Sequence, residues 1–205
     1  MPLPHKSLPD QEVRRNFEAL ENRVVQPHQM HFPLSTSLPT SPSNGMLTAY
    51  DTGTEGIVWM FRYNADSASS YKWEFVGGSP LSANENGSFT ESSTGYSAPD
   101  DSLGPDLTLP LAGDYYVEVA ALMNTNTSLD EGFMSFNVGG SGASDNTAAR
   151  SRASQGSQEE IFHPRRRVLI TGAAASATVA TRYKQSGGTV DISLRELWIL
   201  PKRVS

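Results

Sequence analysis

Two periods of apolar residues divide this chain. Near the start, Val13, Phe17, Leu20 and Val24 recur at spacings of four, three and four, which lines them up on one face of a helix. Ser7 and Asp10 have the spacing of a capping box, Pro9 suits a first turn and Pro27 closes the pattern, so residues 1–26 are expected to hold an N-terminal amphipathic helix. Its apolar seam is narrow, and a helix this short is marginal alone in water. It folds back on its own domain or docks on another chain. The next segment, PHQMHFPLSTSLPTSPSNG at 27–45, carries four prolines and many Ser and Thr, a composition for extended linker rather than core. A helix tethered at that distance reads as an anchor.

From residue 46 the period becomes two. MLTAYD, IVWMFRY, YKWEFV, LTLPL, DYYVEVAALM, FMSFNV, RRRVLITG, ATVATRYK and TVDISLRELWIL read as strands separated by Gly, Pro, Asn, Asp and Ser, and predict a mainly β domain over 46–205, an antiparallel sandwich of jelly-roll type. Within it, Tyr115, Val117, Val119 and Ala121 share one face, as do Val179, Thr181 and Tyr183. The last segment departs from alternation. Val190, Ile192 and Leu194 keep one parity, but Leu197, Trp198, Ile199 and Leu200 are apolar on both. Either a bulge at Arg195-Glu196 resets the pleat, or both faces are covered, most simply by a neighbouring subunit. The run GGSGASDNTAARSRASQGSQEE at 139–160 reads as an exposed Gly/Ser-rich loop.

Composition removes several classes of function. Charged residues make up 19% and the net charge is −6, so no broad basic surface invites nucleic acid. Cysteine is absent, which excludes disulfides and thiolate-ligated metals. The apolar runs IVWMF and LWIL are too short to cross a bilayer, and MPLPHKSLPDQEV lacks the apolar stretch of an export signal; no membrane partner is expected.

Site chemistry is sparse. In VGGSPL the glycine pair follows a strand, as in a phosphate loop, but LSANENGSFT carries no helical period after it; the pair is expected to be a turn at a strand end. His28 and His31 sit between Pro27 and Pro33 without further ligands, and His5 and His163 are isolated, so no metal or other cofactor is expected. Glu74, Glu118, Asp100, Asp101, Asp130 and Glu131 could in principle supply the facing carboxylates of a glycosidase, yet Glu74 and Glu118 alternate with apolar neighbours as outward-facing strand residues do. Arg165, Arg166 and Arg167 open a strand, so their side chains alternate between faces. Asn86-Gly87-Ser88 and Asn126-Thr127-Ser128 are sequons that matter only on a secretory route.

EVRRNFEALENRV (12–24), YKWEFVGGSPL (71–81), LPLAGDYYVEV (109–119) and RYKQSGGTVDISLRELWILPKRVS (182–205) together resemble minor structural proteins of tailed bacteriophages. There a short N-terminal helix precedes a β-sandwich and the chain closes on a Pro-x-Arg-Val-like tail. The resemblance implies a non-enzymatic virion component, a minor tail protein or a fibre or spike on the head, assembled in the bacterial host cytoplasm. It also implies a fold like the trimeric jelly rolls of complement heads and tumour-necrosis-factor-like ligands. On this reading Val13, Phe17, Leu20 and Val24 dock on other virion proteins, and Leu197, Trp198, Ile199 and Leu200 join a homotrimer. The alternative is a receptor-binding module, with Tyr71, Phe89 and Tyr96 facing a host surface glycan or protein. A depolymerase acting on surface polysaccharide is a third.

Overall fold

The alternating segments fold into strands stacked as two sheets. The computed structural model describes residues 34–54, 56–99, 104–125, 130–154 and 160–205. The expected anchor helix with Val13, Phe17, Leu20 and Val24 lies outside the described residues, as do the linker up to residue 33, His5, His28, His31, Asp100, Asp101 and the Asn126 sequon. In chain order the strands are β1 (Leu34–Ser35), β2 (Leu47–Asp51), β3 (Val58–Tyr63), β4 (Trp73–Gly78), β5 (Leu81–Glu85), β6 (Phe89–Glu91) and β7 (Asp106–Thr108). Then follow β8 (Gly113–Thr125), β9 (Glu131–Val138), β10 (Ala149–Arg152), β11 (Glu160–Phe162), β12 (Arg165–Ala173), β13 (Thr178–Gln185) and β14 (Val190–Val204).

The two longest strands, β8 and β14, run antiparallel from Val190 opposite Thr125 to Val204 opposite Gly113 and form the spine of the larger sheet. Along the far edge of β14 lie β6, β5 and β4 in turn, and β3, β2 and β1 continue outward; β12 and β11 line the far edge of β8. The smaller sheet has the order β10-β9-β13-β7. Among the described residues all pairings are antiparallel except the short β1–β2 contact. Inward-facing Val117, Val119, Met123, Ile192, Leu197 and Ile199 of one sheet pack with Met134, Phe136, Val179 and Tyr183 of the other in a single buried cluster. The rings of Phe89 and Tyr183 meet edge-on across the gap at 5.0 Å. Each such side chain, fully buried, contributes about 1.5–3 kcal/mol, so this layer is what holds the sheets together.

Several expectations need correction. The glycine pair is no turn. Gly77 and Gly78 are the last two residues of β4, paired opposite Met60 and Trp59. The chain then continues in the same direction into β5, taking more residues to get from Glu74 to Leu81 than β14 needs between Arg203 and Ile199. The excess makes a bulge, and Gly78 adopts φ 128° in it. A Cβ there would lie 2.4 Å from the Val58 carbonyl oxygen, so only glycine lets the strands approach. The indole N–H of Trp59 donates to the Ser79 carbonyl at 2.8 Å and pins the bulge.

The segment 139–160 is not one exposed loop. It contains β10, an edge strand on β9, and Ala148, Ala149, Ser151 and Ala153 are buried. Their side chains are too small to make an apolar alternation visible in sequence. Part of the expected linker also joins the domain: β1 pairs with β2, and Leu38 packs on the core.

In β14 the bulge alternative holds. Register shifts between Ser193 and Glu196, and Leu194 takes φ 46°. Val190 and Ile192 point inward before the bulge; Arg195, Leu197 and Ile199 point inward after it. Leu197 and Ile199 are fully buried in the chain's own core and are unavailable to a partner, whereas Trp198 and Leu200 stay half-exposed on the outer face.

Candidate interaction surface

The outer faces of the two sheets differ. On the small sheet, the chain seals its own surface. Residues 141–147 fold back over β9, where the buried Ser135 hydroxyl lies 2.7 Å from Thr147 Oγ1 and accepts from the Ser144 amide at 3.3 Å. Beside it, Lys184 Nζ reaches Asp145 Oδ1 at 2.6 Å and lies 4.5 Å from the Phe133 ring and 4.9 Å from the Tyr96 ring. The Tyr96 hydroxyl donates to the same carboxylate at 3.0 Å. Lys184 holds the Asp145 carboxyl below its ordinary value, and burial pushes the Tyr96 phenol up. Phe133 is therefore covered although it faces away from the core.

The large sheet carries no such cover among the described residues. Leu169, Tyr116 and Leu200 stand side by side across β12, β8 and β14, with Leu169 and Tyr116 39% and 37% exposed. Val76 on β4 and Ile161 on β11 add 49% and 64% exposed apolar side chains; Ile161 lies opposite Asn124 near the far end of β8. Ion pairs border this stripe on both sides. On one, Arg165 binds Glu118 at 3.5 Å and Glu196 at 3.2 Å, and Arg167 binds Glu118 at 2.8 Å. The Arg165 guanidinium also lies 4.9 Å from the centre of the Trp198 ring, a cation–π contact. On the other side, Arg203 pairs with Asp114 at 2.5 Å and Arg62 with Glu74 at 2.7 Å. Hydrogen bonds from Arg62 and then Asn64 hold the Glu74 carboxyl below the usual range. Each border balances two arginines with two carboxylates around the Leu169–Tyr116–Leu200 row.

The arginine run finds partners among strand carboxylates, and Arg166, on the opposite parity, donates to the Asn146 carbonyl at 3.2 Å. Arginines at 165–167 also place charge on the β12 edge, which has β8 on one side only, and charge discourages edge-to-edge pairing.

The three aromatics expected to face a ligand are not brought together. Phe89 is a core residue, 8% exposed, between Tyr183 and the Arg195 guanidinium 4.8 Å away. Tyr96 is spent on Lys184, and Tyr71 is half-buried just before β4. Of the carboxylates singled out in sequence, Glu74, Glu118 and Glu131 each engage an arginine. Among the described residues no group of three or more His, Asp or Glu side chains is placed to hold a metal ion. What sequence reading missed is Tyr116 and Leu169. Their signal was present as large apolar residues at the polar parity of DYYVEV and RRRVLITG.

No family model and no curated protein matches this chain. Among solved structures, it is similar to the Eiger tumour necrosis factor from S. frugiperda, with 9% identity and a TM-score of 0.44 over 62% of this chain and 95% of that one. It is also similar to the infectious bursal disease virus Gx strain structure, with 11% identity and a TM-score of 0.30 over 82% of this chain and 45% of that one. Likenesses this distant carry no function across.

Proposed function

We propose that this chain is a non-enzymatic structural component of a tailed-phage virion, a minor tail protein or a head fibre or spike, that assembles with copies of itself through the outer face of its large sheet. The observation that carries the assembly step is the open Leu169–Tyr116–Leu200 row beside a small sheet that the chain seals for itself. Copies of the same chain are an occupant these borders accommodate, because each arginine there is already paired with a carboxylate and sets no unpaired like charge against a copy. The four phage-like stretches support the virion setting. In this reading the contact residues are Trp198 and Leu200 with Tyr116 and Leu169, the assembly is a homotrimer, and Val13, Phe17, Leu20 and Val24 dock on a neighbouring virion protein.

The test is the hydrodynamic mass of the full chain at micromolar concentration. Wild type sediments as an oligomer, and Tyr116→Glu with Leu200→Glu sediments as a folded monomer. A wild type that stays monomeric overturns the assembly reading. Binding to purified tail or head parts that survives Phe17→Asp with Leu20→Asp overturns the anchor. The adhesion reading retains one feature, a cleft of about 440 Å³ lined by Phe136, Val138, Ile170, Ala173 and glycine-rich turns. Its size suits a small ligand, and binding of the chain to host cells, lost on filling the cleft with Ala174→Trp, would favour it.

A further inference from the structure

The chain has two Asn-Gly pairs, Asn44-Gly45 and Asn86-Gly87. Asparagine before glycine is the pair most prone to attack on its own side chain, since glycine offers no Cβ to block the approach of its amide nitrogen. Whether the attack occurs depends on whether the fold holds the participants apart, and the two pairs differ in that respect.

Asn44 is fastened at every reacting group. Its Oδ1 accepts from the Ala65 amide at 3.0 Å, its Nδ2 donates to Asp66 at 3.2 Å, and the Gly45 amide donates to the Tyr63 carbonyl at 2.8 Å. Asn86 lies in the connection between β5 and β6, where residues 86–88 are exposed. Among the described residues no hydrogen bond holds its side chain. The Gly87 N–H, instead of entering a ladder, donates to the Glu85 carboxylate at 2.9 Å.

We infer that Asn86 is a site of spontaneous covalent modification and that Asn44, with the same sequence, is not. The Gly87 nitrogen attacks Asn86 Cγ, giving up its proton to the Glu85 carboxylate that already accepts it. The Cγ–Nδ2 bond breaks as the departing nitrogen takes that proton back from Glu85, and ammonia leaves. Water then opens the resulting five-membered imide at either carbonyl, yielding aspartate or isoaspartate. No oxidant or enzyme takes part. The product adds a negative charge beside Glu85. In the isoaspartate form it also lengthens the backbone next to Gly87, whose carbonyl accepts from the buried Arg195 at 3.3 Å.

The test is peptide mapping by mass spectrometry of the full chain held at mildly alkaline pH, folded and in denaturant. In the folded chain the peptide containing Asn86 gains the mass of an amide-to-acid exchange and splits into two products. The peptide containing Asn44 lags by roughly tenfold or more, because at least one net hydrogen bond must first open. In denaturant the two convert at similar rates. Equal rates in the folded chain, or no conversion at Asn86, overturn the inference, and an unchanged rate in Glu85→Gln removes the carboxylate from the proton transfer.

Discussion

Replacing Gly78 with alanine tests whether the bulge in β4 is a steric necessity. Alanine at φ 128° occupies a region that only glycine enters freely, at a cost of about 1–3 kcal/mol, and its Cβ would sit 2.4 Å from the Val58 carbonyl oxygen and 3.0 Å from the Trp59 ring. The oxygen belongs to the backbone of β3, so the strands must part locally. That weakens the Trp59–Gly78 pairing and the indole bond to Ser79, each worth about 1 kcal/mol. Together the loss is about 3–5 kcal/mol, a large share of the total stability, which is on the order of 5–15 kcal/mol. Gly77 is the internal control. Nothing lies within 4 Å of a Cβ built on it, so Gly77→Ala changes stability by less than about 1 kcal/mol. Urea unfolding followed by tryptophan fluorescence reads both variants, with unchanged slopes required for the comparison. Equal midpoints for the two alanine variants would refute the steric argument.

Phe89→Ala destabilises by about 3–5 kcal/mol as a core truncation, measured by thermal unfolding; a neutral effect would restore Phe89 as a surface platform. Leu194→Gly relieves the positive φ in the β14 bulge and stabilises by up to about 1 kcal/mol, read as a rise in Tm; a clear fall would contradict the bulge. Asp145, held low in the folded state by Lys184 and then Tyr96, contributes stability that is present above its ordinary carboxylate value. That contribution fades as pH falls through the lowered folded value. With its side chain 56% exposed the contribution is small, and Asp145→Asn flattens the acid limb of Tm against pH; an unaltered limb would show that the Lys184–Asp145 pair adds nothing to stability. The Tyr96 phenol, pushed up by burial and the neighbouring carboxylate, ionises above the ordinary tyrosine range in an absorbance titration.

The period-two alternation determined the β class and the position of nine strands, because a half-buried strand must alternate. It left β1, β5, β6, β10 and β11 unread. Those strands are short, and Ala149 and Ser151 bury without looking apolar. Alternation also marked Tyr115 and Val117 as core, since parity within one strand is a local property.

Parity across a bulge is not local. Whether Leu197 or Trp198 faces the core depends on where the register shifts between Ser193 and Glu196, and that shift is set by the pairing of β14 with β8, a strand distant in sequence. The same dependence governs the interaction surface. Phe133 and Tyr116 both break the polar face of their strands, yet only the assembled sandwich covers one with Lys184 and leaves the other open. Sequence thus determined which side chains are large and apolar at outward positions. Tertiary structure decided which of them the chain conceals, because concealment is supplied by segments far along the chain whose approach no local pattern records.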